Sequence, residues 1–418
     1  MMEDISFFVG CDWASEGHQL CLLDAAGECV GTRQVAHTGS ALAEACDWLL
    51  AKTGMEPGRI GIAIETPRGP VVETFLQRGF RVYAMNPKQL DRFRDRFTVA
   101  GAKDDRRDAH VLGDALRTDR HALRALTVDD PLVIELRECS RMLEDLREEH
   151  NRLTNRVREQ LWRYYPQALE LTEDLGGNWF LDLWAQVPTP AKAGRVSEHK
   201  LDRILKAHRV RRLDGAAARR ILRQNPLWVV PGTTEAATGH IRTVAARLRL
   251  VNQQIKEVEC RLDEICSAIE AATESPSGQQ NEQRDVAILR SFPGIGRITL
   301  ATLLAEGWDL LRQRDYHALR ALCGVAPVTR RSGKQCVVLR RHACNRRLAY
   351  ALFHWARVAM QHEPTSKRRY AELRARGHSH GRALRAIGDR LLYVLCVLLE
   401  RQTLFDPDHQ SSARVAPA

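Results

Sequence analysis

Phe7-Phe8-Val9-Gly10-Cys11-Asp12 is an apolar run that stops on a carboxylate, and Ile60-Gly61-Ile62-Ala63-Ile64-Glu65 does the same. A further acidic pair, Asp105 and Asp108, lies in Lys103-Asp104-Asp105-Arg106-Arg107-Asp108-Ala109, just ahead of an apolar-periodic helix. Short apolar runs of this length read as buried strands. Carboxylates gathered at the ends of such strands repel one another unless a hard divalent cation sits between them. Asp12, Glu65, Asp105 and Asp108 therefore form a candidate site for Mg²⁺ (or Mn²⁺) and for phosphodiester chemistry. Asp105 and Asp108, at i and i+3, share a face if the helix has begun there. Asp104 and Asp114 are acids of the same kind, and spacing does not separate Asp104 from Asp105. The plainer alternative is a set of solvated strand-end acids beside a surface salt-bridge face.

Around these acids the segments order themselves. Ser6–Cys11, His18–Asp24 and Cys29–Val35 read as a strand meander with a turn at Ala25-Ala26-Gly27-Glu28. Thr38-Gly39-Ser40 offers a cap for a helix carrying Leu42, Ala45, Leu49 and Leu50. Arg59–Glu65 is the next strand, Val71–Arg78 a short helix, and Phe80–Met85 another strand. Asn86-Pro87 starts a further helix, Pro being well tolerated in a first turn. The order βββ-α-β-α-β-α is RNase H-like.

The chain has 418 residues, enough for two to four domains. Lys+Arg is 63 against Asp+Glu 52, a net charge of +11. That excess favours a polyanionic partner, most simply nucleic acid. The 11 cysteines include no close CxxC pair, which argues against zinc knuckles and a disulfide framework and for a reducing compartment. MMEDISFF is read as carrying no signal peptide, and Leu391–Leu399 is too short to span a bilayer. A cytoplasmic protein without a membrane partner is expected.

From Pro131 to Trp162 the pattern changes to a long, highly charged helix. Its narrow seam is Ile134, Met142, Leu146, Leu153, Val157 and Leu161. Residues 236–271 repeat the style with Ile241, Val244, Leu248, Val251, Ile255, Val258, Leu262, Ile265 and Ile269. The two pair with each other or with copies from another subunit. Short helices broken at Pro188, Pro190 and Pro226 fill residues 166–232, which carry no interpretable motif. Glu274–Glu282 is a polar linker.

Beyond the linker, Phe292-Pro293-Gly294-Ile295-Gly296 precedes a helix over Ile298–Glu306, suggesting a helix–hairpin–helix turn whose exposed N–H groups near Gly294 and Gly296 bind phosphate. Without context a plain interhelical turn explains it equally. Thr329 to Arg347 contains no acid and holds Arg330, Arg331, Lys334, Arg340, Arg341, Arg346 and Arg347, a candidate backbone-binding patch. His342 within it is a phosphate or structural donor, since no second ligand stands at helical spacing. Ser332 sits in a turn beside Gly333, flanked by Arg331 and Lys334. Neighbouring cations favour ionisation of its hydroxyl and neutralise a phosphate under attack. Alone, Ser-Gly is a common turn dipeptide. A strand Cys336–Leu339 and a helix Leu348–Met360 complete the segment, and the tail after Phe405 is expected to be disordered.

VGCDWAS, AIETP, AKDDRRDAH, PGIG, CGVAP and RRSGK, in this order, resemble the DEDD transposases of bacterial insertion sequences, the insertion-sequence one-ten family. The resemblance covers roughly residues 5–125 and 286–362. It implies a RuvC-like N-terminal domain, related to Holliday-junction resolvases, joined by a coiled coil to a mostly α C-terminal transposase domain. It implies Asp12, Glu65, Asp105 and Asp108 as the DEDD set and Ser332 as the nucleophile, forming a phosphoserine link to DNA. It also implies a tetramer (or dimer), composite active sites, and a structured bridge RNA pairing with donor and target DNA. Two positions depart from the family: Asp104 stands where a small or hydroxyl residue is usual, and Ser15-Glu16 where a lysine often follows the serine.

The expected domains are 1–125 (RuvC-like), 126–283 (helical, coiled-coil, with inserted helices), 284–405 (serine domain) and a tail, 406–418. The expected function is cutting and rejoining DNA in a mobile element. The alternative is a RuvC-like, metal-dependent, structure-selective nuclease that uses water. An actin-like ATPase is disfavoured because Trp13-Ala14-Ser15-Glu16 supplies no phosphate turn. A non-catalytic scaffold, or a decayed transposase, is disfavoured by the intact acids and serine.

Overall fold

The computed structural model describes residues 5–96, 104–127, 130–272, 284–333 and 335–406. The expected linker (274–282), Lys103, Lys334 and the tail from 407 lie outside the described residues. Two compact units result, residues 1–130 and 131–418.

In the first unit β1 (Phe7–Trp13), β2 (Gly17–Leu23) and β3 (Cys29–Ala36) form the meander. Then follow α1 (Gly39–Thr53), β4 (Ile60–Ile64), α2 (Pro70–Gln77), β5 (Arg81–Ala84), α3 (Pro87–Arg94), α4 (Asp105–Asp119) and a two-residue β6 (Arg124–Ala125). The sheet order is β3-β2-β1-β4-β5-β6. β1 runs antiparallel to β2 and parallel to β4, and β4 runs parallel to β5. This is the RNase H-like arrangement. The local signals work as read: Thr38 caps α1 through Ala41 N–H, and Asn86 and Gln89 form a capping box on α3.

Strand alternation sorts the residues onto two faces. Val9, Cys11, Ile60, Ile62 and Ile64 pack with α1 and α2. Phe8 and Ala63 pack with α4 through Ala109, Leu112 and Leu116. On that second face α4 lies almost against the β1 backbone. A Cβ added to Gly10 would sit 1.7 Å from the Ala109 carbonyl oxygen and 2.6 Å from the Gly113 nitrogen. Only glycine permits this approach.

The second unit is built on two long helices, α5 (Pro131–Tyr164) and α10 (Thr233–Ala272). They pair with each other within one chain. Arg261 bonds Glu135 and Arg247 bonds Glu149, so the helices run antiparallel. The α10 seam is buried as expected, apart from a half-buried Ile255. The first half of the α5 seam differs from the expected one: Val133, Leu136 and Leu143 are buried, whereas Ile134 and Met142 are exposed. The cause is a second partner. α12 (Arg297–Arg312) packs on this half, and Arg137 donates to the Ala305 carbonyl at 2.8 Å.

At the far half of the pair, α6 (Asn178–Gln186), α7 (Pro190–Ala193), α8 (Glu198–Ala207) and α9 (Gly215–Leu222) close a separate core around Tyr164, Tyr165, Phe180 and Trp184. At the near half, α11 (Arg284–Ser291), α12, α13 (Tyr316–Leu322), α14 (Arg346–His362), α15 (Pro364–Ala375) and α16 (His380–Arg401) complete the fold. A core centred on Trp355 takes in residues from α5, α10, α11, α12, α13, α14 and α16, so the helical middle and the C-terminal segment share apolar contacts. A hairpin, β7 (Val328–Ser332) and β8 (Gln335–Leu339), stands between α13 and α14.

Gly10→Ala should destabilise the protein by about 3 kcal/mol or more, because backbone rather than a movable side chain opposes the methyl group. Gly61→Ala, where a Cβ would meet only the Ile5 and Leu116 side chains at 3.1 Å, should lose about 1 kcal/mol. Urea unfolding of the two variants, followed by circular dichroism, checks both values.

Candidate active site

Asp12 lies two residues beyond Gly10, so it continues the β1 face that α4 covers. Glu65 directly follows β4. Cys11 pairs with Ile64, which places Asp12 and Glu65 side by side at the ends of adjacent parallel strands. Asp105 and Asp108 occupy the first turn of α4 on the same side of the sheet. Asp104 is distinguished from them: it is the N-cap of α4, its carboxylate accepting from the Arg106 N–H. Asp114 is committed to Arg117 at 2.6 Å.

The four acids are not equivalent. Asp105 is exposed, Asp12 and Glu65 are half-buried, and Asp108 is buried. Both Asp108 oxygens accept from one guanidinium, Arg94 Nε at 2.6 Å and Arg94 Nη2 at 2.6 Å. Arg94 also holds Asp91 at 2.5 Å. Hydrogen bonding to Asp108 pushes the Arg94 pKa further up, with the charges of Asp108, Asp91 and Glu65 adding to it. One arginine thus offsets part of the negative charge on this face. Sequence reading missed Arg94, which stands in Asp91-Arg92-Phe93-Arg94-Asp95-Arg96, a run with no feature that selects it over its neighbours.

Oxygen-only donors on one face suit a hard divalent cation in kind. As placed, among the described residues, no three ligating side chains stand close enough to hold one. Of the four expected acids, Asp108 is paired with Arg94 in a buried bidentate contact.

The other candidate residues lie in the second unit. Ser332 is the last residue of β7, paired with Gln335 of β8. Every residue from Thr329 to Ser332 and from Gln335 to Leu339 is exposed. Alternation puts Arg330 on the face of Ser332 and turns Arg331 to the other, although Arg331 is adjacent in sequence.

The basic patch divides. Arg330, Arg331, Arg340 and Arg346 make no ion pair among the described residues, whereas Arg347 bonds Glu144 at 2.5 Å and Arg341 donates to the Ala326 carbonyl. Of the two glycines expected at phosphate, Gly294 is the more closely packed. Its φ is +88°, and a Cβ there would lie 3.0 Å from the Ala359 nitrogen, so it fits the turn against α14, where Trp355 also donates to the Pro293 carbonyl. Gly296 stays open as the N-cap of α12. Among the described residues no helix is long and apolar enough to cross a membrane.

A DEDD-type profile (IS110), described as transposase, matches residues 9–166, and the profile of the transposase IS116/IS110/IS902 family matches residues 286–371. The provisional mini-circle transposase for IS117 of Streptomyces coelicolor is 32% identical over 97% of both chains. The chain belongs to the IS110 family of DEDD transposases. The provisional transposase y4uE of Sinorhizobium fredii is 57% identical over 216 residues, 51% of this chain and 60% of that one. The insertion element IS110 protein of Streptomyces coelicolor is 28% identical over 97% of this chain and 96% of its own. This family is one of enzymes acting on DNA, and DEDD-type domains generally use divalent metal ions.

Arg94→Ala should destabilise the protein by about 3–5 kcal/mol, since it leaves the Asp108 charge buried without a partner. Asp108→Asn added to it should recover part of that loss. Because the same change exposes all four carboxylates to one another, millimolar Mg²⁺ should raise the Tm of the Arg94→Ala variant more than that of the wild type. Differential scanning calorimetry with and without the ion tests both.

Proposed function

We propose that this chain cuts and rejoins DNA at the ends of its mobile element, using the acids of the first unit and the Ser332 hydroxyl of the second. The reading rests above all on Asp12 and Glu65, neighbours on adjacent strands on the face that α4 supplies with Asp105 and Asp108.

Asp12, Glu65 and Asp105 are the residues that would hold a divalent ion, Mg²⁺ or Mn²⁺, with Asp108 joining them if Arg94 yields. Such an ion, when bound, would supply stabilisation of the negative charge that develops on the phosphoryl and leaving oxygens. Arg94, bridging Asp108 and the field of Glu65, positions the first turn of α4. Ser332 Oγ attacks the phosphorus, forming the phosphoserine ester and releasing a strand with a free hydroxyl. The Oγ proton leaves to the medium or a neighbouring base, and the departing oxygen takes one up. Arg330, on the same ribbon face, balances charge on the phosphate. Arg340 and Arg346 bind backbone phosphates, and Gly296 offers the open N-terminus of α12. A structured guide RNA and a dimeric or tetrameric assembly with composite sites complete the proposal, as does a domain division near 125 and 283, with α5 and α10 serving as the coiled coil and the turn after α11 as the helix–hairpin–helix.

Ser332→Ala and Asp12→Ala should each abolish recombination between donor and target plasmids while leaving the circular dichroism spectrum unchanged. Wild type stopped with denaturant should carry a protease-sensitive DNA adduct that Ser332→Ala lacks. Arg330→Ala should slow adduct formation about a hundredfold, and Arg331→Ala much less. Retained cleavage by Ser332→Ala without an adduct would favour the water-using nuclease instead.

A further inference from the structure

The second unit holds a cavity of about 490 Å³ that neither the acids nor Ser332 explain. Its floor is the Cys323–Val325 turn, and its walls come from the stretch after β8 and from α14 and α16. Four arginines line it, Arg340, Arg341, Arg346 and Arg385, and no Asp or Glu does. Arg340, Arg346 and Arg385 make no ion pair among the described residues. Burial pushes the Arg385 pKa down, and the charges of Arg340 and Arg382 push it further the same way. Like charges held together at a half-buried position favour an anion between them.

Two helices begin here. Arg346 opens α14 and Gly381 lies in the first turn of α16, whose N-cap Ser379 makes no side-chain capping bond. The Arg385 guanidinium folds back toward that end: a Cβ at Gly381 would lie 3.5 Å from Arg385 Nη1. The free N–H groups of a 22-residue helix thus reinforce the arginines.

The remaining wall is aromatic and apolar. Tyr350 and Phe353 line it. They belong to a row of rings: Tyr350 to His354 at 4.3 Å between centroids, His354 to Phe353 at 5.6 Å, and Phe353 to His380 at 6.5 Å. Tyr350 is 67% exposed. Cations on one side and exposed ring faces on the other suit a ligand with both a phosphate and a planar base. The volume is that of a small-ligand pocket, large enough for one nucleotide and too small for a duplex.

We infer that this cavity receives a single unpaired nucleotide of a bound strand, its phosphate against Arg340 and Arg385 and its base against Tyr350 and Phe353. The inference rests on the chain acting on nucleic acid, and it deepens the proposed function by adding a site that recognises departure from the paired duplex. The nucleotide comes from DNA or from RNA, and the same chemistry serves both.

Full-length protein would be titrated, by fluorescence anisotropy, against a labelled DNA duplex, the same duplex with one unpaired adenosine, and the corresponding two RNAs. Wild type should favour an unpaired probe over its paired counterpart. Tyr350→Ala and Arg385→Gln should each weaken the unpaired probe roughly tenfold and the paired one less than about twofold. Arg385→Gln should also reduce the salt slope on the unpaired probe by about one. Selective loss on the DNA form assigns the nucleotide to the substrate, and on the RNA form to a guide. No preference in the wild type, or equal losses on paired and unpaired probes, would overturn the inference. Tyr350 is exposed, so its variant tests the site even if Arg385→Gln is unstable. Binding is read without strand cleavage, and the adduct assay with Ser332→Ala is read without Tyr350, so either proposal can fail alone.

Discussion

The first unit depends on the contact between the β1 backbone at Gly10 and the α4 backbone at Ala109 and Gly113. A side chain at Gly10 would displace the helix, since the atoms it meets belong to the main chain. The helix turns that follow and precede this contact are then fixed against the sheet. On the strand side, two residues carry the chain from Gly10 to Asp12 on the same face. On the helix side, one turn back from Ala109 leads to Asp105 and Asp108. Parallel pairing of β1 with β4 brings Glu65 beside Asp12. Three segments far apart in sequence therefore deliver acids to one face because two glycines let two backbones meet.

Such a face is electrostatically unfavourable by itself. Arg94 answers this by a bidentate bond to the most buried acid, and α3 brings it there through a short helix fixed by its capping box. The pair gives both oxygens of the buried Asp108 a charged partner. It also ties the release of Asp108 to the breaking of two charge-assisted hydrogen bonds.

Much of this was legible in the sequence, and the reasons are physical. β1, β2 and β4 are short, nearly continuous apolar runs closed by turn residues, and burial on both faces of the sheet makes them visible. The α10 seam was legible because the helix keeps one apolar face toward α5 and the helices beside it. The start of α5 was not, since α12 adds a second partner there and Val133, Leu136 and Leu143 face inward instead of Ile134 and Met142. Asp104 and Asp105 could not be told apart by spacing, and only cap geometry separates them. Arg94 was invisible because an ion pair between residues fourteen apart leaves no periodic trace. The hairpin was half legible: the apolar run Cys336–Leu339 read as a strand, whereas the charged strand Val328–Ser332 carried no strand signal and Ser332 read as a turn residue.

That hairpin carries the strongest remaining physical constraint. An isolated two-stranded ribbon is marginally stable in water, and this one exposes Val337, Val338 and Leu339 as well as its arginines. Its surface is basic along one strand and apolar along the other, which suits a ribbon that orders fully against a polyanion with hydrophobic contact at its side. Under the proposed function, the Ser332 hydroxyl at the tip of such a ribbon would be positioned by what the ribbon binds, and so placed for attack only when a strand is present.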